Sequence, residues 1–385
     1  MYRVLGIVIV VTALGMGSAQ GAPGLRMILP ADVNAVVGHE ISIYFDNIVL
    51  ARDTKSLVFD VNCSKGRQDE ERWRFTPVAG DVGDFALSIS VLDAEMKPLA
   101  QGSATLHVTA ADAGAGKDVS LMIVGDSLTH ASVYPEELLN LCKGDNGPNL
   151  RLVGTFHPNP NQPPGVVHEG YGGWAWRTFC TQWTDGDGPL AKSQFLRLKD
   201  GKPVLDFQAY CDRVNGGKGP DYITVFLGCN DNFGANEQTI EASINDMFRW
   251  ADMLLAEFKR VRPDTQIGIL FPTPPAASQD AFGSNYLCGQ TRWQYVRNQH
   301  RVVERMTEKW GGKEIDGIFL VPSHINLDTV HNYPVSKEPA NARSGETIAR
   351  QINGVHPSAE GYWQIADSIY YWLKGRVKQA LAHPE

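Results

Sequence analysis

The chain has 385 residues, 43% of them hydrophobic and 20% charged, with a formal net charge of −8. That supplies a large core and enough length for two domains or one large one. The acidic balance argues against a nucleic-acid partner, because no basic field exists to displace counterions from phosphates.

The first two dozen residues stand apart. Arg3 is the only early charge, Val4 to Leu14 is almost wholly apolar, and small residues follow as far as Ala22. A charged start, a short apolar run and small residues predict a cleaved signal peptide over 1–22, cut after Ala19 or Ala22. The apolar run falls well short of the roughly 20 residues that span a bilayer. The mature chain is therefore expected to be secreted or periplasmic, with no membrane span. Export permits disulfides. Of the six cysteines (Cys63, Cys142, Cys180, Cys211, Cys229 and Cys288), Cys180 and Cys211 flank one polar insertion and are the first candidates for a pair. Cys229 reads as a buried thiol. No C-x-x-C spacing exists, so a zinc or redox motif has no support.

From about Leu25 to Thr109 the apolar residues alternate with a period of two. Ile41, Ile43 and Phe45 do so, then Leu57, Phe59, Val61 and Cys63, then Phe85, Leu87, Ile89 and Val91. Glycine- and aspartate-rich stretches such as 79–84 punctuate these runs. A small Ig-like β-sandwich over 25–110 is the expected solution. By composition, 111–117 is then a flexible linker.

Beyond it, strands alternate with helices. Val119 to Val124, Leu150 to Phe156, Tyr222 to Leu227, Ile267 to Phe271 and Gly317 to Val321 are short apolar runs typical of buried parallel strands. Ile240, Ile244, Met247, Phe248, Ala251, Leu254, Leu255 and Phe258 repeat at three and four, predicting a long amphipathic helix. Tyr134 to Cys142, Arg292 to Trp310 and Gly361 to Leu381 read as further helices. The pattern predicts a three-layer α/β/α sandwich with a parallel, flavodoxin-like sheet over 118–385. The polar, glycine-rich segment 181–220 interrupts it as an insertion. Asp185-Gly186-Asp187-Gly188 begins like a calcium loop, but its twelfth position is Leu196 in place of glutamate, so it reads as a plain turn.

The strongest local signal is an apolar strand running into Gly125-Asp126-Ser127-Leu128. Outside the carboxyl end of a parallel strand, a serine beside a helix N-terminus has its hydroxyl exposed and backbone N–H groups near it. Alone the tetrapeptide is weak: average composition yields it in roughly one chain of this size in a hundred. Its bland reading is a helix cap. Three further pieces follow in order: His168-Glu169-Gly170-Tyr171-Gly172-Gly173-Trp174, Leu227-Gly228-Cys229-Asn230-Asp231, and Asn353-Gly354-Val355-His356-Pro357.

Together, over about 118–374, these four pieces resemble the blocks of the SGNH (GDSL-like) hydrolase family. The resemblance implies Ser127 as nucleophile and His356 as general base. It implies an oxyanion hole made by the Ser127 N–H, the Gly173 N–H and the Asn230 amide. Where the family usually has aspartate three residues before the histidine, this chain has Asn353. An amide oxygen can orient the imidazole but cannot offer it a full charge. A Ser–His dyad, a carboxylate from Asp328, Glu346 or Asp231, or lost activity would each account for it. Asp126, Trp174 and Asp231 adjoin the blocks and are expected to contact substrate, with Glu169 and Tyr171 bordering the same loop. Trp174, Trp176 and Trp183 offer aromatic surface for a sugar ring or, equally, core packing. His324, His331 and Asp328 share a loop without a matching ligand motif, so no metal site is expected. The chemistry requires no cofactor.

The leading expectation is a serine esterase that removes O-acetyl groups from poly- or oligosaccharides, with an acylated carbohydrate or other small ester as its partner. The alternatives are an esterase for lipid or aryl esters, and a catalytically weak or silent carbohydrate-binding protein, which only Asn353 favours.

Overall fold

A computed structural model describes residues 24–379; the expected signal peptide lies outside them. Seven strands come first: β1 (Asp32–Val36), β2 (Ile41–Tyr44), β3 (Val58–Cys63), β4 (Arg67–Gln68), β5 (Arg72–Phe75), β6 (Gly83–Leu92) and β7 (Pro98–Thr109), with one helical turn, α1 (Phe45–Ile48), after β2. They form two sheets, ordered β1-β7-β6-β3 and β2-β5-β4. β1 runs parallel to β7, and β6 pairs antiparallel with both β7 and β3. The alternation in the sequence builds this directly. Leu87, Ile89 and Val91 on β6 bury one face of the strand in the same core as Ile41, Ile43 and Trp73 of the other sheet, leaving Ser88 and Ser90 on the opposite face.

The second part contains β8 (Asp118–Gly125), α2 (Ser127–His130), α3 (Val133–Leu141), β9 (Asn149–Val153), β10 (Glu169–Gly170), α4 (Trp176–Thr181), β11 (Leu196–Lys199), β12 (Lys202–Leu205), α5 (Phe207–Val214), β13 (Tyr222–Phe226), α6 (Cys229–Asn232) and α7 (Ile240–Val261). It continues through β14 (Gln266–Leu270), α8 (Gln279–Tyr286), α9 (Arg292–Trp310), β15 (Ile318–Val321), β16 (Val335–Pro339), β17 (Thr347–Gln351) and α10 (Ala359–Gln379). The central sheet is parallel, with β13 between β8 and β14 and with β15 at one edge. At the other edge β9 pairs with the first half of β8 and β10 with its last two residues, Val124 and Gly125. Helices α3 and α10 pack on one face of the sheet, and α4, α5, α7 and α9 contribute to the core on the other. This is the α/β/α sandwich that the strand–helix alternation predicts. All five residues of β13 are buried, as suits a central parallel strand covered on both faces.

The sandwich does not stand apart from this sheet. Val33, Trp73 and Ile89 belong to the same continuous buried cluster as Val119, Leu121 and Tyr371. Polar bonds join the two parts as well. The Asn47 amide donates to the carbonyls of His324 and Leu327, the Tyr44 N–H to that of Ile325, and the Tyr371 hydroxyl to that of Glu40.

Three expectations change in detail. The segment 111–117, read as a flexible linker, is a run of turns in which the buried Lys374 ammonium holds the Ala111 carbonyl at 2.7 Å. The insertion after α4 is not only loop: β11 and β12 form a hairpin, and α5 buries Phe207, Tyr210 and Cys211. Its polar composition hides three large aromatics, Phe195, Phe207 and Tyr210, that serve the sheet's core. Cys180 and Cys211 do not pair, and all six cysteines are free thiols. Both behave as small apolar core residues, with the Cys180 thiol directed to the Trp250 carbonyl at 3.6 Å.

Candidate active site

The topology gathers the four sequence blocks at the carboxyl end of the sheet. Ser127 follows β8 at the start of α2, and Asn230 follows the adjacent β13. β10 aligns its Gly170 with Gly125, and the Tyr171 N–H donates to the Gly125 carbonyl at 3.0 Å, which brings the glycine loop alongside the serine turn. Gly125 must lack a side chain: a Cβ there would stand 1.9 Å from Thr129 Oγ1. The histidine loop before α10 is tied down separately. Gly354 donates to Asn285 Oδ1 at 3.0 Å and accepts from the Ala276 N–H at 3.1 Å.

The result is a close contact between Ser127 Oγ and His356 Nε2, 2.8 Å apart. Burial lowers the His356 pKa, so the neutral form that can accept the serine proton predominates at neutral pH. Around the hydroxyl, neither the Ser127 N–H nor the Gly173 N–H donates to an acceptor among the described residues. Gly173 has φ +79° with no atom near its missing Cβ, so a left-handed backbone, not crowding, favours glycine there.

Residues 121–369 match the GDSL-like lipase/acylhydrolase family, a span that contains all four blocks. The chain belongs to this family of ester hydrolases. Among solved structures it is similar to a family 3 carbohydrate esterase of Clostridium thermocellum, at 17% identity and a TM-score of 0.44, covering 69% of this chain and 100% of that one. A family 3 carbohydrate esterase from Talaromyces cellulolyticus gives 15% identity and a TM-score of 0.38, covering 68% and 99%. An acetylxylan esterase from Geobacillus stearothermophilus gives 15% and 0.33, covering 66% and 94%. No curated protein sequence matches.

This GDSL-like hydrolase departs from a full triad in a specific way. Asn353 Oδ1 accepts the N–H groups of Val355 at 3.1 Å and His356 at 2.9 Å, so it caps the loop and does not address the ring. No group among the described residues hydrogen-bonds His356 Nδ1. The three carboxylates considered from sequence are engaged elsewhere or stand apart. Asp328 holds His331 Nδ1 at 2.9 Å, Asp231 accepts the Trp176 N–H at 3.2 Å, and Glu346 lies between the strands of the β16–β17 hairpin. What stands in the site is a Ser–His dyad.

Of the expected substrate contacts, Asp126 and Trp174 are buried and Asp231 is half-buried. Asp126 is 2% exposed and caps α2 by accepting the Leu128 N–H at 3.0 Å; burial pushes its pKa up to about 7. Asp231 caps the start of α4, and burial likewise raises its pKa to about 7. The Trp174 ring packs 4.3 Å from Tyr171 and 4.8 Å from Phe179, and Trp176 is wholly buried near Trp310. Trp183 is half-buried, with Lys192 over its ring. Core packing, not an open sugar platform, accounts for the first two tryptophans. The Asn230 amide donates to the Trp174 carbonyl at 2.9 Å and to Asp126 Oδ2 at 3.3 Å, so both of its N–H bonds have acceptors inside the protein. His324 is buried against Phe271 and His331 is exposed; no group of three or more metal-ligating side chains occurs among the described residues.

Two structural roles escaped the sequence reading. Glu169 is fully buried, and its carboxylate accepts from the Thr155 N–H at 2.7 Å, the Tyr210 hydroxyl at 2.9 Å and the Tyr171 hydroxyl. His130 and His168 each accept a backbone N–H of the glycine loop. The spacing Ser127-x-x-His130, one helical turn, is a sequence signal that could have pointed to His130.

Proposed function

We propose that this protein is a secreted or periplasmic serine esterase that removes O-acetyl groups from poly- or oligosaccharides through an acyl-enzyme. The observation that carries the catalytic part is the 2.8 Å contact between Ser127 Oγ and His356 Nε2; the Ser127 and Gly173 N–H groups have no acceptor among the described residues. Ser127 Oγ attacks the ester carbonyl carbon as His356 takes its proton. The carbonyl oxygen becomes an oxyanion held by the Ser127 and Gly173 N–H groups. Asn230 joins as a third donor by releasing its longer bond, to Asp126. On collapse the C–O bond to the alcohol breaks, and the imidazolium returns its proton to the departing alkoxide. Water then attacks the acyl-enzyme, His356 takes its proton, and acetate leaves with Ser127 restored.

The sugar part of the reading rests on the export expected from the first 22 residues and on the N-terminal sandwich, since Trp174 and Trp176 no longer count toward it. Acetate release from acetylated xylan and hydrolysis of 4-nitrophenyl acetate test the two parts separately. Activity on the small ester alone leaves the esterase and removes the polysaccharide. A chain inert toward both, with no fluorophosphonate labelling of Ser127, is a carbohydrate-binding relative.

Two expected results follow from the dyad. Burial lowers the His356 pKa from its ordinary 6.5, and the base works only when neutral. The acid limb of a kcat/KM profile therefore lies below pH 6.5: activity persists as the pH falls through 6.5 and is lost lower down. A midpoint at or above 6.5 would contradict this. At position 353, Asn353→Ala removes the acceptor for two N–H groups and frees the histidine loop, so kcat/KM is expected to fall roughly tenfold or more. Asn353→Asp keeps the cap and adds a charge near the imidazolium, with an expected gain of roughly a few-fold to tenfold and an acid limb displaced upward. Equal losses in both variants would mean that the amide itself is needed.

A further inference from the structure

We propose that His130 is a positioning residue: its imidazole holds the glycine loop in the conformation that aims the Gly173 N–H at the reacting oxygen. The proposal rests on the esterase reading above and adds a residue to it.

The backbone sets up the geometry. Ser127 opens α2 and His130 closes it, so a single helical turn fixes the imidazole relative to the nucleophile. His130 Nδ1 accepts the Gly172 N–H at 3.3 Å. That pins the peptide just before the one that carries the Gly173 N–H. Accepting at Nδ1 places the ring proton on Nε2. An edge-on contact with Phe156, centroids 5.0 Å apart at 66°, keeps the ring from swinging away.

A second tie runs in parallel and closes a circuit. The Gly170 N–H donates to His168 Nδ1 at 3.0 Å. His168 Nε2 then lies 2.8 Å from Ser132 Oγ, which itself donates to the His130 carbonyl at 3.1 Å. Every donor and acceptor in that chain agrees with one tautomer, the proton on Nε2 of His168. Ser132 occupies the left-handed region, φ +61°, in the turn between α2 and α3. The loop is thus fastened to the serine turn at residues 170 and 172 as well as by the Tyr171 N–H on Gly125, and Gly173, with φ +79°, is the first residue past these fastenings. An oxyanion donor acts through orientation, and a displacement of about 1 Å costs on the order of a hundredfold in rate. Binding of the ester in its ground state depends on that orientation far less.

The test compares His130→Leu and His130→Asn in the full chain with 4-nitrophenyl acetate as substrate. Leucine fills the space and offers no acceptor, whereas asparagine places an amide oxygen where Nδ1 stood. The expected result is a fall in kcat of roughly 10- to 100-fold for His130→Leu, with KM changed less than about threefold. His130→Asn is expected to stay within about threefold of the wild type. Equal kcat in His130→Leu and wild type, or an equal fall in both variants, overturns the proposal. Should His130→Leu not fold, His130→Gln replaces it, because its amide sits near the Nε2 position and cannot receive the Gly172 N–H. A wild type inert toward the ester overturns the esterase reading and this assignment with it.

Discussion

Ser127→Ala is expected to lower kcat for 4-nitrophenyl acetate by at least about 100-fold, and the double variant Ser127→Ala/His356→Ala to be no slower than the single one. The size follows from the missing third member. In a full serine triad, losing the nucleophile costs on the order of 10⁶ in kcat, and losing the carboxylate alone costs on the order of 10⁴. A dyad with no partner on His356 Nδ1 among the described residues starts without the second factor, so roughly 10² is left for the pair to lose. The backbone donors remain in either variant and supply the residual rate. A fall near 10⁶ would instead mean that another group stabilises the imidazolium during the reaction. Unchanged activity would mean that Ser127 is not the nucleophile.

The second large effect concerns stability. Glu169→Ala is expected to lower the unfolding free energy by roughly 3–5 kcal/mol, because it leaves buried donors without an acceptor. Those buried donors are the Tyr171 and Tyr210 hydroxyls, from the glycine loop and α5, and the part-buried N–H and hydroxyl of Thr155 in the β9–β10 connection join them. One carboxylate therefore pins the insertion helix to the glycine loop. Glu169→Gln keeps an acceptor oxygen in place and is expected to lose about half as much or less. Chemical denaturation of the three proteins measures the difference, and equal stability of wild type and Glu169→Ala would rule out the carboxylate as the anchor.

The fold was legible wherever periodicity had a single solution. The seven apolar positions of α7 from Ile244 to Phe258 all face the core, and the predicted span of α9 agrees with the observed one, Arg292–Trp310. Legibility failed where local composition misrepresents burial. Phe195, Phe207 and Tyr210 are spread through a polar stretch and meet only after β11, β12 and α5 fold back on the sheet. The β16–β17 hairpin is a polar excursion with half-exposed strands, and gave no alternation to detect. In the site, the order of the blocks was enough to bring Ser127, Gly173, Asn230 and His356 to one end of the sheet. Side-chain direction was not readable. Trp174 and Asp231 adjoin reactive positions in sequence, yet the Trp174 ring packs against Tyr171 and Phe179 and the Asp231 carboxylate accepts the Trp176 N–H, because neighbouring residues in a loop seldom share a direction. The role of Asn353 needed coordinates too, since capping two amides and orienting a ring call for the same residue type.

The seam between the sandwich and the sheet bears on how this enzyme can be taken apart or borrowed. A module that merely rides on a catalytic domain can be cut away at its linker. Here the bonds from Asn47 and Tyr44 end on the loop 324–327, and the Asn332 carbonyl, a few residues on, accepts the Ser358 N–H just beyond His356. Removing 24–110 would strip apolar cover from α10 and loosen the scaffold under the His356 loop in one stroke. A graft of the catalytic half onto another carrier is therefore expected to lose stability unless the sandwich comes with it, which thermal denaturation of residues 111–385 alone against the full chain would measure.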